Sequence, residues 1–216
     1  MDLKREKEYW DNFYKSKTLG IENIPSQFAA FVMSEYNYVN KVLEIGCGMG
    51  RDTFFFGSLH KKVLGLDASS NVIQLCNKKA KNKNIDVDFQ EYDISSQDYE
   101  YLREWFNKEN EAINMIYARF FLHAIDDELE KAFFKLCKSI CRNNDLVALE
   151  FRTNRDESQS KETDLHYRRY ISPLDFMNRV IKYGFKVDYF VEGFGYAKYK
   201  SDDAHVARFI LRVDNE

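Results

Sequence analysis

Five short apolar runs punctuate the first two thirds of the chain: Lys41 to Ile45, Lys62 to Asp67, Ile85 to Tyr92, Ala112 to Ala118 and Leu146 to Phe151. Between them the apolar positions recur with helical spacing, over about Met49 to Leu59, residues 70–80, residues 97–107 and Asp126 to Cys141. Strands that are apolar throughout, separated by amphipathic helices, predict a parallel sheet covered on both faces. The tail changes pattern. Ser172 to Tyr183 reads as a helix, and Gly184 to Val191 and His205 to Val213 read as two strands of an antiparallel pair that closes the sheet. Ahead of the first run, residues 4–17 form a helical pattern carrying Tyr9, Trp10, Phe13 and Tyr14. Those aromatics suit either packing on the core or a lid over a ligand. After a break at Gly20, a second helix starts at Pro25-Ser26-Gln27 and runs to about Tyr38, with Pro25 in an early helical position.

In open sheets of this kind ligands bind beyond the carboxyl ends of the strands. The residues expected there are rich in glycine and charge: Glu44 with Gly46, Gly48 and Gly50, then Asp67, then Asp93, then Arg119 to His123. Three glycines permit a tight turn and close backbone approach, and the helix that follows offers unpaired N–H groups. Arg51 stands where a dinucleotide fingerprint wants its third glycine, and no Gly-Lys-Ser/Thr follows, so neither NAD nor a Walker-type phosphate site is indicated. Asp67 is placed to take both hydroxyls of a ribose or to cap the next helix. Asp93, followed by Ile94, is placed to take the amine of an adenine ring or to cap a turn.

Composition narrows the rest. A chain of 216 residues makes one sizeable domain, and its net charge of −3 supplies no overall field for nucleic acid or acidic membranes. No apolar run approaches the ~20 residues of a membrane span, and the charged start Met1 to Glu6 is unlike a secretion signal, so a cytoplasmic protein is expected. Cys47, Cys76, Cys137 and Cys141 lack paired zinc spacing and read as buried small hydrophobes in a reducing compartment; no metal is expected.

The run V-L-E-I-G-C-G-M-G, followed by G-L-D-A-S and E-Y-D-I, resembles the class I S-adenosylmethionine-dependent methyltransferases over roughly residues 41–151. The resemblance implies an α/β, Rossmann-like fold: a mostly parallel seven-stranded sheet with a C-terminal antiparallel strand pair and helices on both faces. It implies one methyltransferase domain over residues 1–216, with a helical lid (1–38), a cofactor-binding core (39–153) and an acceptor-side segment with the closing strands (154–216). S-adenosylmethionine is the implied cofactor. Glu44, Gly46 and Gly48 then hold its methionine part, Asp67 with Ala68 and Ser69 the ribose, and Asp93 with Ile94 the adenine. Tyr14, Ser26, Gln27, Arg51, Asp52 and Arg119 complete the expected cofactor set.

Methyl transfer is an in-line displacement in which the enzyme mainly aligns the acceptor and excludes water. His123, after the fourth strand, is either the base that an oxygen acceptor needs or a histidine packed at a helix start. No Asp/Asn-Pro-Pro-Tyr/Phe follows that strand, which disfavours nucleic-acid bases and glutamine. Arg152, His166, Tyr167, Arg168 and Arg169, with Arg155 beside them and Arg119 across the sheet end, form either a cationic mouth for phosphate or carboxylate or a salt-bridged surface. The expected activity is O-methylation of a small phosphorylated, phosphoramidate or carboxylated metabolite by a monomer or homodimer, with neither nucleic acid nor membrane as partner. A small-molecule N-methyltransferase and a non-catalytic cofactor-binding subunit are the alternatives. Short segments (P-S-Q-F, R-F-F-L-H, H-Y-R-R-Y) also resemble small methyltransferases of bacterial capsule and surface-polysaccharide loci.

Overall fold

The first five apolar runs become parallel strands: β1 (Lys41–Ile45), β2 (Lys62–Asp67), β3 (Asp88–Glu91), β4 (Met115–Arg119) and β5 (Leu146–Arg152). The computed structural model describes residues 9–10, 12, 24–96, 98–109, 112–159, 161, 167–199 and 201–213. The tail supplies β6 (Phe185–Gly193), a short hairpin of β7 (Lys198–Tyr199) with β8 (Asp202–Asp203), and β9 (Val206–Val213). The main sheet has seven strands in the order β3-β2-β1-β4-β5-β9-β6, with β9 antiparallel to both neighbours. This is the mostly parallel, Rossmann-like sheet with an antiparallel closing pair that the pattern predicts.

Among the described residues, helices with described bounds cover the sheet: α1 (Gln27–Glu35), α2 (Arg51–Ser58), α3 (Ser70–Lys83), α4 (Glu100–Asn107), α5 (Asp127–Ile140) and α6 (Pro173–Lys182). Their starts are set by short polar caps. Ser26, Ser69, Asp126 and Ser172 each accept a first-turn N–H through the side chain. Pro173 takes the first helical position of α6, whereas Pro25 lies one residue outside the cap of α1. The boundaries shift for local reasons. Gly50 is left-handed at φ 71°, so α2 starts at Arg51 rather than Met49, and Asn84, also left-handed, ends α3 later than expected. β3 is shorter than the run from Ile85 to Tyr92. Of the N-terminal aromatic helix, only residues 9, 10 and 12 are described, and they are helical. Tyr14 and His166 lie outside the described residues.

The two-residue period of the strands divides the core. Leu43, Ile45, Ile116, Val147, Leu149, Phe151, Phe209 and Leu211 pack with α4, α5 and α6 on one face. Val42, Met115, Tyr117, Leu146, Ala148 and Ile210 pack with α1, α2 and α3 on the other. One step further toward the carboxyl edge on that second face, the apolar residues give way to Glu44, Arg119, Glu150 and Arg208. The packing of the core thus places a row of charges where the sheet ends.

Candidate active site

The glycine loop follows β1. Gly46, Gly48 and Gly50 all have positive φ (74°, 52° and 71°), a backbone that residues with a Cβ rarely adopt. At Gly46 a Cβ would also lie 2.7 Å from the Phe121 ring. Glu44 is buried at the end of β1 and accepts a hydrogen bond from Thr53 Oγ1 of α2. Burial, reinforced by the Asp52 charge, lifts its carboxyl well above the usual carboxylate range, against the pull of Thr53 and Arg119. A cationic ligand group beside it would reverse that shift.

Asp67 ends β2, half-buried, and its two oxygens accept Gly48 N (2.9 Å) and Ser69 N (3.0 Å). The acid therefore fixes the glycine loop at the sheet edge. Ser69 is buried and acts as the α3 cap; Ala68 is half-buried between them. Asp93, beyond β3, is exposed and accepts Ser95 N at 2.9 Å, while Ile94 is buried beside it. Glu44, the loop, Asp67 and Asp93 lie at the carboxyl ends of three adjacent strands.

The segment before α1 is differently engaged. Asp52 is buried and accepts Ser26 N (2.8 Å), Ser26 Oγ (2.7 Å) and Tyr117 OH (2.9 Å). Arg51 donates to the carbonyls of Ile24 (2.7 Å) and Pro25 (3.0 Å), and burial with the Arg119 charge pulls it below its ordinary value. Gln27 donates to Gly195 O and accepts Lys198 N, both at 3.0 Å. These four residues, expected as cofactor contacts, clasp the first helix to α2 and to the 195–198 loop. Their hydrogen-bonding groups are drawn to nearby backbone and to one another.

The acceptor side needs a larger correction. Arg152 is buried, with Asp156 and Asp202 each 2.6 Å away, and Arg169 pairs with Asp127 and Glu130. Neither guanidinium lines an open mouth, because buried charges are held by opposite charges. Arg155 is exposed, 3.6 Å from Glu192. Arg168 and Tyr167 are half-buried, and burial with the Arg152 charge lowers Arg168. His123 is buried against Phe120, and its Nδ1 accepts Arg152 N at 3.3 Å. Phe120 itself has φ 57°, a strained conformation for an aromatic residue at the sheet edge. Arg119 donates through Nε to Glu150 (2.8 Å), whose other oxygen accepts Arg208 Nε (2.8 Å).

Sequence reasoning missed Glu150, Arg208, Tyr117, Asp156 and Asp202. Two of these carry a visible signal. Glu150 and Arg208 are charges within largely apolar strands, and they are register partners. Asp156 and Asp202 lie in polar stretches where nothing local marks them.

The residues fit S-adenosylmethionine: Asp67 offers a carboxylate beside a loop whose backbone comes close, and Glu44 awaits a cation. Bound there, the cofactor supplies a sulfonium methyl for in-line displacement; the chain's own groups bind, orient and exclude water. Among the described residues no His, Cys, Asp or Glu cluster suits a metal, and no helix is long and apolar enough to cross a membrane.

Residues 42–144, just under half of the chain, match a family model described as a methyltransferase domain. No curated protein sequence matches the chain. Among solved structures, one described as "Conversion of a Disulfide Bond into a Thioacetal Group during Echinomycin Biosynthesis" is similar at 16% identity and TM-score 0.75, over 97% of this chain and 93% of that one. A SAM-dependent methyltransferase from Anabaena variabilis ATCC 29413 is similar at 14% identity and TM-score 0.71, over 99% and 96%. The glycopeptide N-methyltransferase MtfA complexed with S-adenosyl-L-methionine is similar at 14% identity and TM-score 0.63, over 88% and 95%. At these identities the likeness is one of fold; the domain match spans Glu44, Asp67 and Asp93. The chain thus has the fold of S-adenosylmethionine-dependent methyltransferases, and its residues 42–144 match a methyltransferase domain.

Proposed function

We propose that the enzyme methylates an oxygen of a small anionic metabolite. The observation that carries this reading is the engagement of His123. A neutral hydroxyl needs a base to take its proton. In a neutral imidazole whose Nδ1 accepts Arg152 N–H, the other nitrogen carries the proton and donates. A carboxylate or phosphate oxygen is already ionised at neutral pH, with carboxyl groups titrating near about 4, and asks only for alignment and a cation. Arg168 supplies a half-buried cation beside Arg152, held below its ordinary value by burial and by that neighbour. The finer expectations, a phosphoramidate group and a surface-polysaccharide precursor, rest on short sequence resemblances.

A small amine is the second reading. Asp202 Oδ1 is buried without a hydrogen-bond partner, and an amine N–H is the kind of donor it lacks. One assay separates the two: transfer of a radiolabelled methyl group from S-adenosylmethionine to a panel of small carboxylates, phosphate esters, neutral alcohols and amines. Labelled ester products are expected, with a rate flat in pH once the acceptor is ionised. Labelled amines alone, or labelled neutral alcohols with a rate that rises as a protein base deprotonates, would overturn the anionic reading.

A further inference from the structure

Three adjacent strands bring one charge each to the same row. The register pairs Arg119 with Glu150 across β4 and β5, and Glu150 with Arg208 across β5 and β9. The Glu150 side chain is wholly buried, and each of its oxygens takes one Nε–H at 2.8 Å. One carboxylate between two guanidiniums leaves the row with a net positive charge. The two arginines complete their surroundings differently. Arg208 donates again, to Tyr196 O at 2.7 Å, and its guanidinium lies 5.0–5.6 Å from the rings of Tyr196, Phe28 and Phe31. Arg119 uses only Nε. Its two terminal nitrogens make no hydrogen bond among the described residues, and its guanidinium is held 4.2 Å from the Phe120 ring centroid. The side chain keeps 17% of its surface exposed.

The residue stands beside the cofactor half of the edge. Glu44 on β1 pairs in register with Tyr117 on β4, so Arg119 stands on the same face, one side-chain step beyond it. Glu44, Asp52 and Arg51 all feel its charge. Glu44 and Arg119 therefore offer an anion and a cation on neighbouring strands beside the glycine loop, the complement of an amino-acid zwitterion. Two parallel N–H groups on a fixed plane suit a carboxylate bound through both oxygens.

We propose that Arg119 receives the carboxylate of the cofactor's amino-acid end, and that Glu150 and Arg208 are positioning residues that aim its fork. Nothing in this requires the acceptor to be anionic; it rests on the cofactor alone. It also removes Arg119 from the acceptor's site, leaving Arg168 as the cation there.

The test is calorimetry without any acceptor, comparing S-adenosylmethionine with its decarboxylated form, which keeps the ammonium, ribose and adenine. Wild-type enzyme should prefer the carboxylate-bearing ligand by about tenfold or more, the worth of a charge-assisted pair. Arg119→Lys keeps a charge beside Glu150 but loses the planar fork; it should abolish most of that preference while binding the decarboxylated ligand within about threefold of wild type. Glu150→Gln should reduce the preference by a smaller factor, an effect that a general loss of stability would not produce because both ligands would weaken together. No preference in wild type, or equal weakening of both ligands in Arg119→Lys, overturns the assignment.

Discussion

The two halves of the carboxyl edge are built in different ways. At the ends of β1, β2 and β3 the chemistry comes from single acids and a glycine loop, each lying beside the next in sequence or one strand away. Asp67 reaches back to Gly48 and forward to Ser69, both close in sequence. At the ends of β4, β5 and β9 it comes from charges far apart in the chain: Arg152 with Asp202, Glu150 with Arg208, Arg169 with Glu130. The first half gathers its acids around a backbone loop. The second holds most of its charges in buried pairs, which fixes the shape of the edge and leaves few cations over. A substitution in the first half should therefore be read in affinity, and one in the second half in stability.

The largest effect expected from this contrast is on Arg152→Ala. It strands Asp202 as a buried carboxylate and takes from Asp156 one of its two cations, Lys161 being the other, which costs about 3–5 kcal/mol of stability. Thermal unfolding should show a fall of several degrees at least, at about 2–4 °C per kcal/mol for a domain of this size. If Arg152→Ala keeps its melting temperature and alters only turnover, the two halves do not differ as described. Next in size is Asp67→Ala, which should weaken S-adenosylmethionine binding by about ten- to a hundredfold in calorimetry, with a smaller loss of melting temperature than Arg152→Ala.

Glu44 sharpens the comparison through pH. Its raised value means the ligand-free folded protein holds that proton more tightly than the unfolded chain. The group therefore favours folding below its ordinary value of 4.5, and that benefit is lost as pH rises through the folded-state value. Glu44→Gln removes the loss, so the ligand-free variant should gain melting temperature over wild type between pH 5 and pH 8 while binding the cofactor more weakly. A wild-type enzyme that matches the variant across that range contradicts the burial argument. The smallest effect belongs to Asp93→Asn: the side chain is exposed, so the melting temperature should stay within about 1 °C. Cofactor affinity should fall by about threefold, the scale of one solvent-exposed hydrogen bond.

The same contrast explains what was legible in the sequence. The strand-helix alternation, the glycine loop and the acids after β2 and β3 are local patterns, and the structure returns them with boundaries moved by a few residues. The antiparallel closing pair was legible too, from the change of pattern after Pro173. The fate of the arginines was not. Nothing near Arg152 in sequence announces Asp202, and nothing near Arg169 announces Glu130; those pairings exist only once β5 and the β8 hairpin meet and residues 167–172 run beside α5. Ser26 and Gln27 looked available because small polar groups before a helix are ambiguous, and long-range partners on Asp52 and Gly195 decide their roles. Glu150 was the overlooked clue: an acid in a run as apolar as Leu146 to Phe151 needs a buried cation, and the register with β4 and β9 supplies two.

A crystal structure with S-adenosylhomocysteine tests the central claim most directly, because that claim is a placement. The ribose hydroxyls should lie within hydrogen-bond distance of the Asp67 carboxylate, the adenine beside Asp93 and Ile94, and the amino-acid end between Glu44 and Arg119. A ligand seated elsewhere on the sheet, or a ribose that leaves Asp67 bonded only to Gly48 and Ser69, would contradict it.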